Sequence, residues 1–210
     1  MTGIPGARYY AVNDRPVALV RTADGGEDCV VFDFATGELV PDRSYFEHLI
    51  PGSGKDVDAL TEAEFAIRLA ACRAEAGARA AARVLAWAQR LCAASGTAAE
   101  LAAALGFGAA APARQGVTVD PPPGYRRITI TAENATARAQ LQPAGGLLTR
   151  EVLDAAFGAG RELPIFPDSW DEGHAGYRVE VPGGPGSCAI SVRFRHGAAI
   201  EISLRRFDAG

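Results

Sequence analysis

Short apolar runs separated by turn-forming residues make up the start of the chain. β-Branched and aromatic side chains dominate these runs, while Asn13-Asp14-Arg15 and Asp24-Gly25-Gly26 have the composition of tight turns. The pattern predicts an antiparallel meander of three or four strands with one apolar face, and such a face has to be covered by another element. The predicted strands are residues 8–12, 16–22, 29–34 and 38–40.

A long amphipathic helix is predicted to provide that cover, at residues 61–92. Thr61 and Glu64 have the spacing of a capping box, which marks a helix start. Apolar residues then recur every three or four positions and form one stripe. The stripe consists of Phe65, Leu69, Cys72, Ala76, Ala80, Val84, Trp87 and Leu91.

This helix is long for a small domain. At ~1.5 Å per residue it would extend roughly 50 Å, whereas a compact domain of ~100 residues has a radius of gyration of ~13 Å. The helix therefore either bends near Gly77 or continues straight and packs against a partner, and the sequence leaves both possibilities open. In the second case the alanine-rich surface of helix 61–92 favours a homodimer.

A change of composition divides the chain into two parts. Thr97 and Glu100 form a second capping box, which opens a short helix that ends at Gly106. Residues 109–123 end in three consecutive prolines, which exclude a helix or a central strand and predict a stiff linker. We therefore expect domains at 1–108 and 124–210.

The C-terminal part is predicted to be a ββαβββ domain, an antiparallel sheet with one packed helix. Thr149 caps the helix and Gly158 ends it. In the last hairpin a three-residue loop at 196–198 aligns Ile190 with Leu204 and Arg193 with Glu201, whereas a two-residue loop would break the apolar pairing. The fold class predicted for the whole chain is α+β.

Composition and charge exclude several classes of protein. Hydrophobic residues make up 48% of the chain and charged residues 22%, which is typical of a globular protein. The net charge of −4 argues against a general affinity for nucleic acid or anionic membranes. Lys55 is the single lysine, and the abundance of alanine and arginine is typical of a GC-rich, and we infer bacterial, genome.

The cysteines and the first residues favour the cytoplasm. Cys29, Cys72, Cys92 and Cys188 are scattered without a C-x-x-C pair, and Cys72 is too far from Cys92 along one helix to form a disulfide with it. We therefore expect free, mostly buried thiols in a reducing compartment. Residues 1–6 have no basic and apolar segments of a secretory signal, and no apolar run has the length of a membrane span.

One polar segment is the best candidate for a binding site. It combines carboxylates, a histidine and a tryptophan, namely Asp168, Trp170, Asp171, Glu172 and His174. Its spacing differs from that of an EF-hand, so we predict neither a metal nor a catalytic role. It is either an acidic connecting loop or a protein-binding loop, for which tryptophan is a common anchor.

Three other patterns are weaker. Pro51-Gly52-Ser53-Gly54-Lys55 resembles part of a phosphate-binding P-loop, but it lacks the first glycine and is followed by Asp56, so we interpret it as a surface turn. The predicted register places Cys188 opposite Arg206 and far from His196, which excludes a thiolate–imidazole pair. The arginines of the last hairpin could bind an anion, although pairing with Glu201 and solvent exposure explain most of them. They are Arg193, Arg195, Arg205 and Arg206.

A stretch of the C-terminal part is similar to a known repeat. Residues 149–158 form a helix ending in Phe-Gly, Tyr177 lies on the next strand, and Phe194-Arg195-His196-Gly197 joins the last two. This pattern resembles the repeat shared by the small lipoproteins of outer-membrane assembly and the β-lactamase inhibitor protein. The resemblance implies a helix packed on an antiparallel sheet whose other face or loops bind a protein. Neither the lipoprotein signal of the first group nor the disulfide of the second is expected here.

These observations favour a non-catalytic protein-binding or regulatory protein of the bacterial cytosol, similar to an inhibitor, an immunity protein or a chaperone. The alternative is an enzyme or small-ligand-binding protein with a site between the two halves near residues 168–174. No cofactor is predicted, and the expected partner is another protein.

Overall fold

The structure is a computed structural model that describes residues 4, 6–50, 52–108, 110–113, 116–133, 136–165, 171–179 and 186–208. The chain divides into two compact units, Met1–Ala76 and Gly77–Gly210. Each unit contains one antiparallel sheet together with helical residues, which confirms the predicted α+β class. None of the helices in the described ranges is long and apolar enough to cross a membrane.

The N-terminal unit contains a five-stranded sheet with the strand order β4-β3-β2-β1-β5. The four predicted strands are all present, whereas α1 and β5 were not predicted because each has only four residues, too few to show a helical or strand periodicity. Asn13 and Asp14, both with positive φ, form the tight turn between β1 and β2. The elements are β1 (Arg8–Val12), β2 (Arg15–Arg21), β3 (Glu27–Phe32), β4 (Leu39–Pro41), α1 (Tyr45–His48), β5 (Val57–Leu60) and the first part of α2 (Glu62–Ala93).

Helix α2 is continuous from Glu62 to Ala93. The predicted capping box is confirmed, since the Glu64 carboxylate accepts a hydrogen bond from the Thr61 N–H and the Thr61 hydroxyl accepts one from the Glu64 N–H. The predicted stripe forms its buried side, where for example Phe65 stacks on Tyr9 with ring centres 4.5 Å apart.

Gly77 allows close packing in the C-terminal unit. A Cβ atom at this position would lie 3.1 Å from the Leu147 carbonyl oxygen and 3.2 Å from a methyl group of Val152. The glycine therefore lies where another chain segment comes close to the helix backbone, and the helix continues through it. Between Gly77 and the end of the helix, a second row of side chains is also buried beside the stripe, namely Ala81, Ala88 and Cys92.

The C-terminal unit is built around an eight-stranded sheet of order β10-β11-β12-β13-β9-β8-β7-β6. Its elements are α3 (Ala98–Ala104), β6 (Ala110–Pro112), β7 (Val117–Val119), β8 (Tyr125–Glu133), β9 (Thr136–Pro143), α4 (Arg150–Phe157), β10 (Arg161–Glu162), β11 (Gly173–Val179), β12 (Gly186–Arg195) and β13 (Ala198–Asp208). The predicted ββαβββ order is present, with the two-residue strand β10 added. Thr97 and Thr149 cap α3 and α4 as predicted.

The predicted linker 109–123 and the domain boundary differ from the structure. Within this segment β6 and β7 pair with each other, and β7 continues the sheet by pairing with β8. Pro112 is accommodated because β6 is an edge strand, where a missing N–H does not interrupt the sheet. The two compact units divide instead between Ala76 and Gly77, inside α2.

The register of the last hairpin was predicted correctly except at its tip. Ile190 pairs with Leu204, and Arg193 pairs with Glu201. The loop, however, has two residues, His196 and Gly197, both with positive φ. The prediction of a three-residue loop was wrong because a β-bulge absorbs one residue of β13 next to the Arg193–Glu201 pair, which restores the apolar pairing that a two-residue loop would otherwise break.

A disulfide joins α2 to the sheet. Cys92, at the end of α2, is bonded to Cys188 on β12 with a Cα–Cα distance of 5.9 Å. The prediction of four free thiols was therefore wrong for these two residues, because their proximity depends on how a helix packs on a strand 96 positions later. Of the other cysteines, Cys72 is half-buried, while burial of Cys29 raises its pKa to about 11.

The disulfide is expected to contribute strongly to stability. Closing a loop of about 100 residues reduces the entropy of the unfolded chain, which corresponds to roughly 2–5 kcal/mol. Urea unfolding of the wild-type chain should therefore lose about this much free energy when a phosphine reductant is added.

Two variants serve as controls for this measurement. The stability of the Cys92→Ser/Cys188→Ser double variant should be low and independent of the reductant, whereas Cys72→Ser should respond to the reductant like the wild type. Titration of four thiols in the native, unreduced chain would contradict the assignment.

A larger residue at position 77 should destabilise the chain. We expect Gly77→Val to cost about 1–3 kcal/mol of unfolding free energy, because its side chain would collide with Leu147 and Val152. Ala78→Val is the matched control, since Ala78 is exposed on the same helix, and it should change the stability by less than about 0.5 kcal/mol. Equal effects of the two variants in urea unfolding would show that close packing at Gly77 is unimportant.

Candidate functional site

The outer side of the eight-stranded sheet is rich in arginine. The inner side carries the apolar residues of the core, such as Ile190, Val192 and Leu204, so the alternate residues of each strand face outwards. We call the outer side of the five strands β8, β9 and β11–β13 the arginine face. Its arginines are Arg127, Arg138, Arg178, Arg193, Arg195 and Arg205.

Small polar residues form a row across the middle of the arginine face. Register partners on successive strands place Gly176 opposite Ser191, Ser191 opposite Ser203, and Ser203 opposite Gln140. Gln140 pairs in turn with Thr129 on β8. Longer side chains cover part of this row. Arg138 and Arg205 donate to the hydroxyl of Ser203, which is 3% exposed, and the Leu163 side chain lies against Gly176.

Ion pairs across the strands hold several of these arginines in place. Arg193 donates to the Glu201 carboxylate at 2.6 Å and to the Asp171 carboxylate at 3.3 Å. Asp171 also lies 3.7 Å from Arg195. Arg138 donates to the Ser203 hydroxyl at 2.8 Å and lies 3.9 Å from Glu201. The guanidinium groups are thus fixed in direction while remaining partly accessible to solvent.

The face carries an excess of positive charge. Its six arginines share it with the carboxylates of Glu201 and Asp171 and, at the end of β8, with Glu133. Glu172 lies next to Asp171 and pairs with His196, so the described residues of these strands and of positions 171–172 carry six positive and four negative charges on this side. The local charge is +2, although the whole chain has a net charge of −4. The chain therefore has a basic surface on an acidic molecule.

Asp171 is central to this arrangement. Its side chain is only 4% exposed, while those of Arg193 and Arg195 are 39% and 40% exposed. A carboxylate at such a buried position needs compensating partners, and Arg193 and Arg195 provide them here. Asp171 therefore fixes the two arginines at the end of β12, just before the turn of the hairpin.

The structure does not bring the predicted site residues together around one point. Asp168 and Trp170 lie outside the described residues. Asp171 faces the β12 arginines, whereas Glu172 accepts a hydrogen bond from the His196 N–H and lies 3.3 Å from the His196 ring. His174 contacts the Pro164 carbonyl oxygen through Nδ1 at 3.0 Å. In the described part of the chain, no group of three or more His, Cys, Asp or Glu residues is placed to hold a metal ion.

The predicted arginine cluster of the last hairpin is divided between the two sides of the sheet. Arg206 points inwards, is 7% exposed and donates to the Ala94 carbonyl oxygen at the end of α2. Arg193, Arg195 and Arg205 lie on the outer side. Cys188 pairs with Arg206, as predicted, and its sulfur is part of the disulfide, so it cannot act as a thiolate.

A second polar cluster lies beside α4 and has a structural role. The Asp154 carboxylate accepts hydrogen bonds from Tyr177 Oη at 2.9 Å, the Gly160 N–H at 3.1 Å and Arg150 Nε at 3.1 Å. Burial opposes ionisation of Asp154, but these hydrogen bonds outweigh it and hold its pKa below the ordinary value. For Tyr177, burial and the neighbouring carboxylate raise the pKa. The cluster connects the end of α4 to β11 through groups that are already paired.

Sequence reasoning missed three of the six arginines. Arg127, Arg138 and Arg178 lie before the last hairpin in the sequence. Only the pairing of β8, β9 and β11 with their neighbours in the sheet brings them to the same face as the arginines of that hairpin. The alternation of apolar and polar residues along each strand is the signal that could have indicated their outward direction, but the strand order was also needed to place them on one face. Comparison of the chain with protein-family models, curated proteins and solved structures finds no match.

Removal of the Asp171 charge should disturb the arginine face. We expect Asp171→Asn to lower the unfolding free energy by about 1–3 kcal/mol, because the neutral amide cannot balance Arg193 and Arg195 at this buried position. The neighbouring Glu172→Gln is the control. The Glu172 side chain is 52% exposed and the amide still accepts a hydrogen bond, so a change below about 0.5 kcal/mol is expected. Similar urea-unfolding curves for both variants would rule out the central role of Asp171.

Proposed function

We propose that this chain is a non-catalytic protein-binding protein, similar to an inhibitor, an immunity protein or a chaperone, and that its arginine face binds an acidic protein surface. The excess of positive charge on an otherwise acidic molecule is the observation that carries this proposal. A local basic surface orients and accelerates the approach of an acidic partner.

The arrangement of the arginines supports a protein partner. Arginine is enriched in protein interfaces because its planar group forms paired hydrogen bonds with carboxylates. Arg193 and Arg138 are already oriented by Glu201 and Ser203, so less conformational entropy is lost when they bind.

Two further observations agree with this proposal. The candidate carboxylates Asp171 and Glu172 form pairs with cations of the same unit, which favours a structural use over acid–base chemistry. The resemblance of residues 149–207 to a repeat of protein-binding domains implies the same use of the outer side of a sheet. These observations favour a binding protein over an enzyme with a site near residues 168–174.

The compartment and the oligomeric state are part of the proposal. The Cys92–Cys188 disulfide favours an oxidising compartment over the cytosol expected from the sequence. Self-association through helix 61–92 stays a prediction. Its support is that Ile67 is 71% exposed on the helix and is surrounded by exposed alanines.

The test compares two variants with the same change in charge. In the first, the exposed arginines Arg127, Arg178 and Arg205 of the arginine face are changed to Ser. In the second, serine replaces three exposed arginines elsewhere, Arg21, Arg43 and Arg83. A partner isolated from the native lysate with the immobilised wild-type chain should bind the first variant at least tenfold more weakly and the second with unchanged affinity. Binding of the wild type should also weaken as salt is added.

Three outcomes would contradict the proposal. The first is a partner that binds both variants equally. The second is bound material that is removed by nuclease, which would identify a nucleic acid. The third is a chain that captures no protein but is strongly stabilised by one metabolite, which would favour the enzyme or ligand-binding alternative.

A further inference from the structure

An open cleft lies within the N-terminal unit. Its volume is about 340 Å³, which is at the lower end of the ~300–1,000 Å³ typical of small-molecule sites. The turn between β1 and β2, helix α1 and the first part of α2 line it. Cys72 and Glu75 of α2 form one wall, and Arg15, Tyr45 and Lys55 lie among the residues of the others.

Arg15 is held in a fixed orientation in this cleft. Its Nε donates to the Phe32 carbonyl oxygen at 2.7 Å and its Nη1 donates to the Tyr45 hydroxyl at 2.8 Å. Its guanidinium carbon lies 5.5 Å from the ring centre of Phe34 and 5.4 Å from that of Tyr45. Arginine has five N–H donors, and two are used here, so three remain for a ligand.

No described carboxylate forms an ion pair with Arg15. The charge of Arg15 helps to lower the pKa of Asp33 and Asp42, but each of these carboxylates accepts hydrogen bonds from residues close to it in the sequence. Burial opposes ionisation of Asp33, but hydrogen bonds from Ala35 and Thr36, helped by Arg15, lower its pKa. Hydrogen bonds from Ser44 are the main reason that the pKa of Asp42 is lowered, against a smaller effect of burial. The three remaining N–H groups of Arg15, its outer donors, therefore have no anionic acceptor among the described residues.

Lys55 adds a second cation to the same cleft. It is exposed, and the described residues give its ammonium group no hydrogen-bond or ion-pair partner. Lys55 is the last residue of the turn whose sequence resembles part of a P-loop. Within this turn the Ser53 hydroxyl donates to the His48 carbonyl oxygen and accepts from the Lys55 N–H. These bonds connect the turn to α1, whose His48 and Tyr45 also line the cleft.

The acidic residues of the cleft limit the charge of its ligand. Asp14 forms an ion pair with Arg68, so its charge is balanced. Glu75 lies on the α2 wall. The lining thus contains two carboxylates, Asp14 and Glu75, beside its two cations, Arg15 and Lys55, and this balance favours a ligand with a single negative charge. The aromatic side chains of Phe34, Tyr45 and His48, together with Val12, offer an apolar surface. Phe34 is 38% exposed, which leaves its ring accessible to a ligand.

We infer that this cleft binds a small monocarboxylate with an apolar body. The carboxylate would accept hydrogen bonds from the outer donors of Arg15 and pair with Lys55, while the apolar part would contact Phe34 and Tyr45. An arginine fork oriented in advance is well suited to a planar carboxylate. This site is independent of the arginine face and of the function proposed for it.

Benzoate is a suitable probe, because it combines a single carboxylate with an aromatic ring. Benzoate, citrate and phosphate are each titrated into the isotope-labelled full chain at constant ionic strength, with sodium chloride as the reference. We expect benzoate to shift the amide signals of Asn13, Asp14 and residues 53–55 in the nuclear magnetic resonance spectrum. Citrate and phosphate should bind at least fivefold more weakly, because the two carboxylates in the lining oppose a ligand with more than one negative charge.

Three variants test which residues carry the binding. Arg15→Lys removes the fork and should weaken benzoate binding at least tenfold. Lys55→Ala changes an exposed residue of a turn and should weaken it about threefold while the chain stays folded, so it decides the question if Arg15→Lys is unstable. Arg43→Ser is the control, because Arg43 is exposed on the same unit and does not line the cleft.

The following results would overturn the inference. One is the absence of shifts at residues 13, 14 and 53–55 with benzoate beyond those caused by chloride. Others are shifts confined to the arginine face, or an affinity for benzoate that Lys55→Ala leaves unchanged. Tighter binding of citrate than of benzoate would show that the cleft selects total charge and not a monocarboxylate.

Discussion

The C-terminal unit depends on covering one apolar side of a wide antiparallel sheet. Strands β8, β9 and β11–β13 all place their apolar residues on this side, and the second part of α2 packs in the same core. The cover is fixed by the Cys92–Cys188 disulfide and by hydrogen bonding of Arg206 to the end of α2. Since one side of the sheet is occupied in this way, the opposite side carries the polar residues, including the arginines of the arginine face.

The same helix contributes to both compact units. Up to Ala76 it buries a single stripe that includes Phe65 and Leu69, whereas from Gly77 onwards a second row of side chains is also buried. Alanine and glycine in this part leave space for other segments near the helix backbone, as at Leu147 and Val152. The unusual length of the helix thus results from packing in two units, whereas its periodicity alone is equally compatible with a bend near Gly77 or with a partner helix.

Arginine has different roles in the two units. On the arginine face, guanidinium groups are oriented by Glu201, Asp171 and Ser203 and together form a broad basic surface. In the N-terminal cleft, a single guanidinium group is held by aromatic rings and a carbonyl oxygen. We propose an acidic protein surface as the partner of the arginine face and one small carboxylate as the ligand of the cleft, because the face presents several guanidinium groups and the cleft presents one.

Local features of the sequence determined the elements, and tertiary pairing determined the sites. The capping boxes at Thr61 and Thr97, the stripe of α2 and the pairing of Arg193 with Glu201 follow from interactions over a few residues or one hairpin. The hairpin loop is one residue shorter than predicted, because a β-bulge leaves one residue of β13 unpaired and so shifts the alternation on which the prediction was based. The Cys92–Cys188 bond, the strands within residues 109–123 and the gathering of six arginines on one face depend on strand order and on helix–sheet packing. Such contacts join distant residues, and a single sequence does not contain their register.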